Sequence, residues 1–291
     1  MTDHLAKATY SGVRAFAAVT TDLVEEARRR HDCYPVATAA LGRTMTAALL
    51  LAADLKTDAA ITMRISGDGP LGKIVADAGS QGTVRGYVEN PHVELLLKEG
   101  KLGVGSAVGA GNIFVSRFNG ANQPFTGSAP LVSGEIAEDV ANYLLVSEQM
   151  QSTVGLGVLV KPDLTVEAAG GYFVQAMPGA EENVLEAVEK NLMAMPPISE
   201  LVSQGNDATA ILQKIFAGLP ANIFEASPLT FYCHCSVERV ENMLISLGSE
   251  ELASMVEEGK AEITCHFCGE KYHIGQERLV ELLNEAEQAK E

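Results

Sequence analysis

From Tyr10 to about Val174, short β-like runs are interrupted by a few helical ones. The run "VRAFAAVTTDL" has strand character, while "VEEARRRHDCYPVATAALGRTMTAALLLAADL" has helical composition on both sides of Pro35, rich in Ala, Leu and Met. Strands are then expected at "AITMRIS", "KIVADA", "VRGYVE", "NIFVSRF" and "GLGVLV", with glycine-rich turns such as "GDGPLG", "GSQG" and "GAGN" among them. In "SGEIAEDVANYLLVSEQM", Ile136, Val140, Tyr143 and Leu144 fall at helical spacing behind acids that suit a helix start. The pattern predicts an α+β core domain over residues 1–178, a mostly antiparallel, hairpin-linked sheet packed with helices.

The periodicity changes at "AMPGAEENVL". "AEENVLEAVEKNLMAM" reads as a helix that stops before Pro196 and Pro197, and "DATAILQKIFAG" as one that starts at Asp207 and stops at Gly218. Ile211, Leu212, Ile215 and Phe216 form an apolar stripe on the second, and helices this short persist only while such a stripe is packed. Residues 179–228 are therefore expected to be a helical linker whose order depends on its neighbours. Beyond it, residues 229–291 carry three expected helices. "SVERVENMLISLG" runs from Ser236 towards Gly248. "SEELASMVEEG" has Ser249 as N-cap, Leu252, Met255 and Val256 on one face, and Gly259 as stop. "QERLVELLNEAEQ" closes the chain. No internal repeat or low-complexity tract is visible.

Composition adds two constraints. The N-terminal "MTDHLAKATYSG" has no apolar run behind a basic start, and "TMTAALLLAADL" is too short an uncharged stretch to cross a bilayer, so a cytoplasmic protein is the simplest expectation. The formal net charge of -17 is concentrated late: residues 181–291 hold 7 Lys/Arg against 20 Asp/Glu. Such a surface repels phosphate backbones, which argues against nucleic acid and anionic membranes as partners, although acidity also serves plain solubility.

Candidate chemistry sits in the last sixty or so residues, where four of the five cysteines occur as Cys233-x-Cys235 and, after 29 intervening residues, Cys265-x-x-Cys268. Two such knuckles are the usual inventory of a structural four-sulfur zinc site, and Gly269 allows backbone N–H groups to turn in towards sulfur. His234, His266 and His273 lie nearby but are expected outside the ligand set, because four thiolates already fill a tetrahedron. A closed set has no open position for water, which argues against metal-assisted hydrolysis and against an enzyme. Cys33 in "HDCYPV" is expected as a small core residue. "GDGPLGK" lacks the ending of a phosphate-binding loop, because Ile74 follows Lys73, and reads as a turn. The methionines of "NLMAMPP" suit either a promiscuous surface or core gap-filling.

With these cysteines, "ITMRISGDGPLGKIVADAGSQGTVRGYVENP", "PFTGSAPLVSGEIAEDVANYLLVSEQMQSTVGLGVLV", "AAGGYFVQAMPGA", "CSVERVENMLISLG" and "CHFCGEKY" resemble segments of the heat-shock-protein-33 family over nearly the whole chain. The resemblance implies a redox-regulated, ATP-independent holdase chaperone of the bacterial cytosol, inactive while reduced and zinc-loaded. It implies that oxidation forms Cys233–Cys235 and Cys265–Cys268 disulfides, releases zinc, unfolds the tail and linker, and lets an apolar surface, as a homodimer, hold unfolding client proteins. Elementary energetics agrees with such a switch. Structural zinc contributes roughly 10–16 kcal/mol of apparent binding free energy in small zinc peptides, whereas disulfides closing very small loops restrict the unfolded chain little. A zinc-ribbon interaction module without redox switching remains the alternative reading of the same residues.

Overall fold

Strands β1 (His4–Tyr10) and β2 (Val13–Val19) form an antiparallel hairpin closed by Ser11 and Gly12, both at positive φ (42° and 82°). Positive φ at both central positions gives a tight turn whose twist suits the strands. A Cβ at Gly12 would meet the Ala180 backbone at 2.6 Å, so glycine is also needed for the close approach of a later segment. In β2, Phe16 and Ala18 join one core while Val13, Ala15, Ala17 and Val19 join another. Burial on both faces explains why this strand is almost uniformly apolar rather than alternating.

The computed structural model describes residues 2–56, 58–95, 102–119 and 124–288. Continuing in chain order, the elements are α1 (Thr21–His31), α2 (Pro35–Ala52), β3 (Ala59–Gly67), β4 (Lys73–Gly79), β5 (Thr83–Val88), α3 (Val104–Val108), β6 (Gly111–Asn119) and β7 (Phe125–Pro130). Then come α4 (Ala137–Glu148), β8 (Ser152–Val160), β9 (Val166–Ala176), α5 (Glu182–Ala194), α6 (Ile198–Ser203) and α7 (Ala208–Ile215). Three two-residue strands follow: β10 (Asn222–Ile223), β11 (Ser227–Pro228) and β12 (Thr230–Phe231). The last elements are α8 (Val237–Leu247), α9 (Ser249–Glu258), β13 (Lys260–Thr264), β14 (Lys271–Gly275) and α10 (Gln276–Gln288). The chain divides into two compact units, Met1–Tyr232 and Cys233–Glu291.

The first unit contains two six-stranded sheets. One has the order β10-β1-β2-β9-β8 with β11 also on β1, and the other runs β12-β5-β4-β3-β6-β7. All pairings are antiparallel except β12 on β5. This is the α+β, mostly antiparallel architecture that the sequence pattern implies. Helix α2 packs against strands of both sheets. By length and hydropathy α2 would pass for a membrane span, yet 89% of it is buried inside the protein, so its apolar character serves the core. Its buried threonines are satisfied locally, Thr44 and Thr46 donating to the carbonyls of Ala40 and Gly42.

Helices α5, α6 and α7 cover the outer face of the first sheet. Ile211, Leu212, Ile215 and Phe216 are buried there with Val184, Val188, Ile198 and Leu201, against Ala6, Ala8, Val13, Ala15 and Ala17. The approach is close enough to require glycine, since a Cβ at Gly157 would meet Ser199 N at 2.8 Å. Asp207 caps α7 as the sequence suggests, accepting from the Ala210 N–H at 2.7 Å. Residues 229–231 still belong to this unit, because Leu229 is buried in the first core and Thr230–Phe231 pairs with β5.

Several elements lie where the pattern is weak. Strand β9 holds "AAGG", poor strand formers that fit because both of its faces press on other elements. Helix α6 begins directly after the two prolines that end α5. Ile136, read as part of a helical stripe, precedes α4 at φ 75°, held there by the buried Asp139 carboxylate, which accepts from the N–H groups of Val132, Ser133, Gly134 and Ile136. Ser249 is not an N-cap: Gly248 holds that position and Ser249 is the first helical residue.

Candidate metal centre

The second unit has a small core of its own: Val240, Leu244, Leu252, Ile274, Leu279, Leu282 and Ala286. Helices α8, α9 and α10 and the β13–β14 hairpin surround it. The hairpin is absent from the sequence reading. It follows from two five-residue runs, "KAEIT" and "KYHIG", on either side of the second cysteine pair, a strand signal overshadowed by the helix before it.

Each knuckle is built by a distinct local device. Cys233 and Cys235 immediately precede Ser236, whose hydroxyl caps α8 by accepting from the Arg239 N–H at 3.2 Å. Helix formation therefore fixes the chain just beyond the first pair. Cys265 and Cys268 occupy the connection of the β13–β14 hairpin. There the Cys265 N–H donates to the Glu270 carbonyl and the Gly269 N–H to the Cys265 carbonyl, both at 2.8 Å. Gly269 takes φ 71°, the left-handed conformation that curls the backbone round the sulfur.

The four sulfurs converge. All lie within 4.8 Å of one another, with Cys233 to Cys265 at 3.8 Å and Cys235 to Cys268 at 3.4 Å, and none of the four is in a disulfide. A tetrahedral ion with metal–sulfur bonds of about 2.3 Å requires sulfur–sulfur edges of about 3.8 Å, so the donor set is close to what a tetrahedral metal ion needs. Cys268 is buried and the other three are half-buried. Burial pushes the Cys235 and Cys268 thiols upward from their ordinary range. Crowded, desolvated thiols of this kind ionise together only when a cation sits among them, which fits a metal centre better than a set of independent thiols.

Tyr272 on β14, not singled out by its sequence context, lies beside the Cys235 sulfur, and this proximity raises the phenol's own titration. Of the nearby histidines, His273 is 70% exposed with Nδ1 3.5 Å from Glu262. Among the described residues, the one group of side chains placed to share an ion is the four cysteines. Cys33 is buried, and burial pushes its thiol up to about 12, which leaves it inert as a nucleophile. The "GDGPLGK" segment is the turn from β3 to β4, with Asp68 accepting from the Ala110 N–H. Met193 is 80% exposed, whereas Met195 packs on the second core of the first unit.

Residues 3–275 match the family model described as Hsp33 protein. The chain is 49% identical over 292 residues to the 33 kDa chaperonin of Desulforamulus reducens, covering 99% of each. It is 49% identical over 293 residues to that of Listeria monocytogenes, covering 98% of this chain and 100% of the relative. Among solved structures, the 33 kDa chaperonin (heat shock protein 33 homologue) of Thermotoga maritima superposes with a TM-score of 0.91. That protein is 39% identical, and the match covers 98% of this chain and 99% of the other.

Proposed function

The chain belongs to the Hsp33 family, and on that footing we propose that it is a redox-regulated, ATP-independent holdase chaperone whose tail is the switch. The observation that carries this reading is the convergence of four cysteine sulfurs in a tail with little other core. In the reduced protein, Cys233, Cys235, Cys265 and Cys268 would hold one zinc ion, which supplies charge compensation for the thiolates and ties the entry of α8 to the hairpin.

Oxidation by peroxide converts two thiolates into one disulfide. The sulfurs lose two electrons, the S–S bond forms, the O–O bond breaks, and two protons from solvent complete two waters. Bonds within each pair, Cys233–Cys235 and Cys265–Cys268, close tiny loops and leave the two knuckles unconnected. Bonds between pairs would span 32 and 33 residues and staple the tail instead. Only the local pattern works as a release.

Release of the tail matters through α5, α6 and α7. Their buried faces and the alanine-rich sheet surface beneath them are apolar, so unfolding of residues 179–228 would expose both. Unfolding polypeptides with exposed apolar segments are the partners such a surface fits. The reading includes a homodimer on activation, a cytoplasmic location and no enzymatic turnover.

The test is to treat the purified protein with peroxide at mild heat. Zinc release, loss of helical circular dichroism and suppression of client aggregation should appear together, and peptide mapping should find the two within-pair disulfides. Oxidised protein that leaves client aggregation unchanged would reduce the tail to a static zinc ribbon. Cross-pair disulfides would overturn the release mechanism.

A further inference from the structure

Helix α7 has a second tether at its start, supplied from the N-terminal strand. The Ala208 N–H donates to Nε2 of His4 at 3.0 Å, across 204 residues of sequence, while Nδ1 of the same ring lies 2.8 Å from the Thr2 carbonyl. The two contacts fix the ring's protonation. A carbonyl only accepts, so Nδ1 carries a hydrogen; a backbone N–H only donates, so Nε2 carries a lone pair. The ring is therefore neutral whenever α7 is docked through it. A proton on Nε2 would abolish the bond and place a positive charge at the positive end of the α7 dipole.

We propose that His4 is a proton-sensitive catch on the linker, so that mild acid loosens α7 and lowers the threshold for its release. The inference rests on the reading of residues 179–228 as the releasable linker. The contact is placed to matter, because α7 is short: its apolar face, Ala208, Ile211, Leu212 and Ile215, packs on the sheet, Asn191 of α5 donates to the Ile215 carbonyl at its far end, and at its start the His4 bond is the tether from β1.

The charged surroundings of the ring are few. Opposite His4, β2 presents Val19 and β11 presents Pro228, neither ionisable. Helix α7 has Asp207 at its cap and Lys214 in its last turn. Just before β1, the Asp3 carboxyl accepts from the Leu23 and Asp22 N–H groups at the start of α1, and burial pushes it up to about 6. Asp3 works in the opposite sense: protonation there relieves a buried charge, so acid favours the α1 end while it breaks the α7 end. The two effects are separable.

The experiment is amide exchange of the reduced, zinc-loaded protein between pH 7.5 and 5.5, corrected for intrinsic exchange, with metal content followed in parallel. Protection of α7 should fall about tenfold, as expected for loss of one hydrogen bond and a repulsive helix-end charge, with a midpoint matching the His4 ring titration seen by nitrogen NMR. His4→Gln, which keeps an acceptor but does not titrate, should remove the pH dependence, and Asp3→Asn should preserve it. Equal acid sensitivity in His4→Gln, loss of the effect in Asp3→Asn, or a His4 titration that leaves α7 protection unchanged would overturn the proposal. Failure of the redox reading itself would look different: α7 protection would persist after peroxide at pH 7.5.

Discussion

The two units differ in what holds them together. Residues 1–232 bury an extended core around α2 and a second core beneath α5, α6 and α7. Residues 233–291 bury one small cluster and converge four thiols beside it. A segment of about sixty residues gains little from its core alone, so an ion held by the four thiols would contribute a large share of its stability. The apolar contacts among α8, α9, α10 and the hairpin also join the two knuckles, a connection that cysteine spacing does not reveal. The first unit is thus held by its own cores, whereas the second would depend on whatever its four thiols hold.

The largest effect should come from the clasp. Cys265→Ser removes one of four ligands, and with structural zinc contributing roughly 10 kcal/mol or more, the tail should lose zinc and its NMR dispersion while residues 1–178 keep theirs. Full-affinity zinc in this variant would contradict the four-sulfur assignment. Next comes the cover of the first sheet. Ile211→Asp puts a carboxylate into a fully buried site, which costs about 3–5 kcal/mol unless the helix undocks, so apolar-dye binding should rise in the reduced protein while zinc is retained. Unchanged dye binding would mean that α7 does not govern exposure of that face.

Gly157→Val tests the same boundary from the sheet side. The added side chain meets the start of α6, and a cost of about 1–3 kcal/mol should appear as faster amide exchange in α6 with little change in α2. The smallest effect concerns Asp3. Its carboxyl titrates near 6 in the folded protein against 3.8 ordinarily, so its stabilising contribution is fully present below about pH 3.8 and lost as pH rises through 6. Asp3→Asn should therefore match wild type near pH 4 and exceed it by about 2 kcal/mol at pH 7.5, measured by denaturant unfolding of the first unit. A variant less stable at pH 7.5 would show that the charged cap on α1 outweighs its burial.

Much of this was legible in the sequence where the signal is local. Asp207 starting α7, Gly259 ending α9 in a left-handed turn and the prolines ending α5 are decided by neighbours a few residues away. The four cysteines were legible because their spacing has few other uses. What escaped depends on distant contacts. Strand β9 is a poor strand in isolation and is made by burial on both faces, and the bond between His4 and α7 joins residues at opposite ends of the first unit. Ser249 satisfied the composition rule for a cap, but Gly248, with φ 101°, makes the turn into α9. Tyr272 carried no signal, since its role exists only once the hairpin folds back towards Cys235.

The claim that one ion decides the fate of the tail is tested most directly by removing zinc without oxidation. A high-affinity chelator is titrated into the reduced protein, and amide exchange is followed peptide by peptide. Protection across residues 233–288 should collapse in step with zinc loss, that across 179–228 should fall after it, and that of α2 and its flanking strands should persist. A zinc-free, reduced tail that stays as protected as the loaded one would contradict the account.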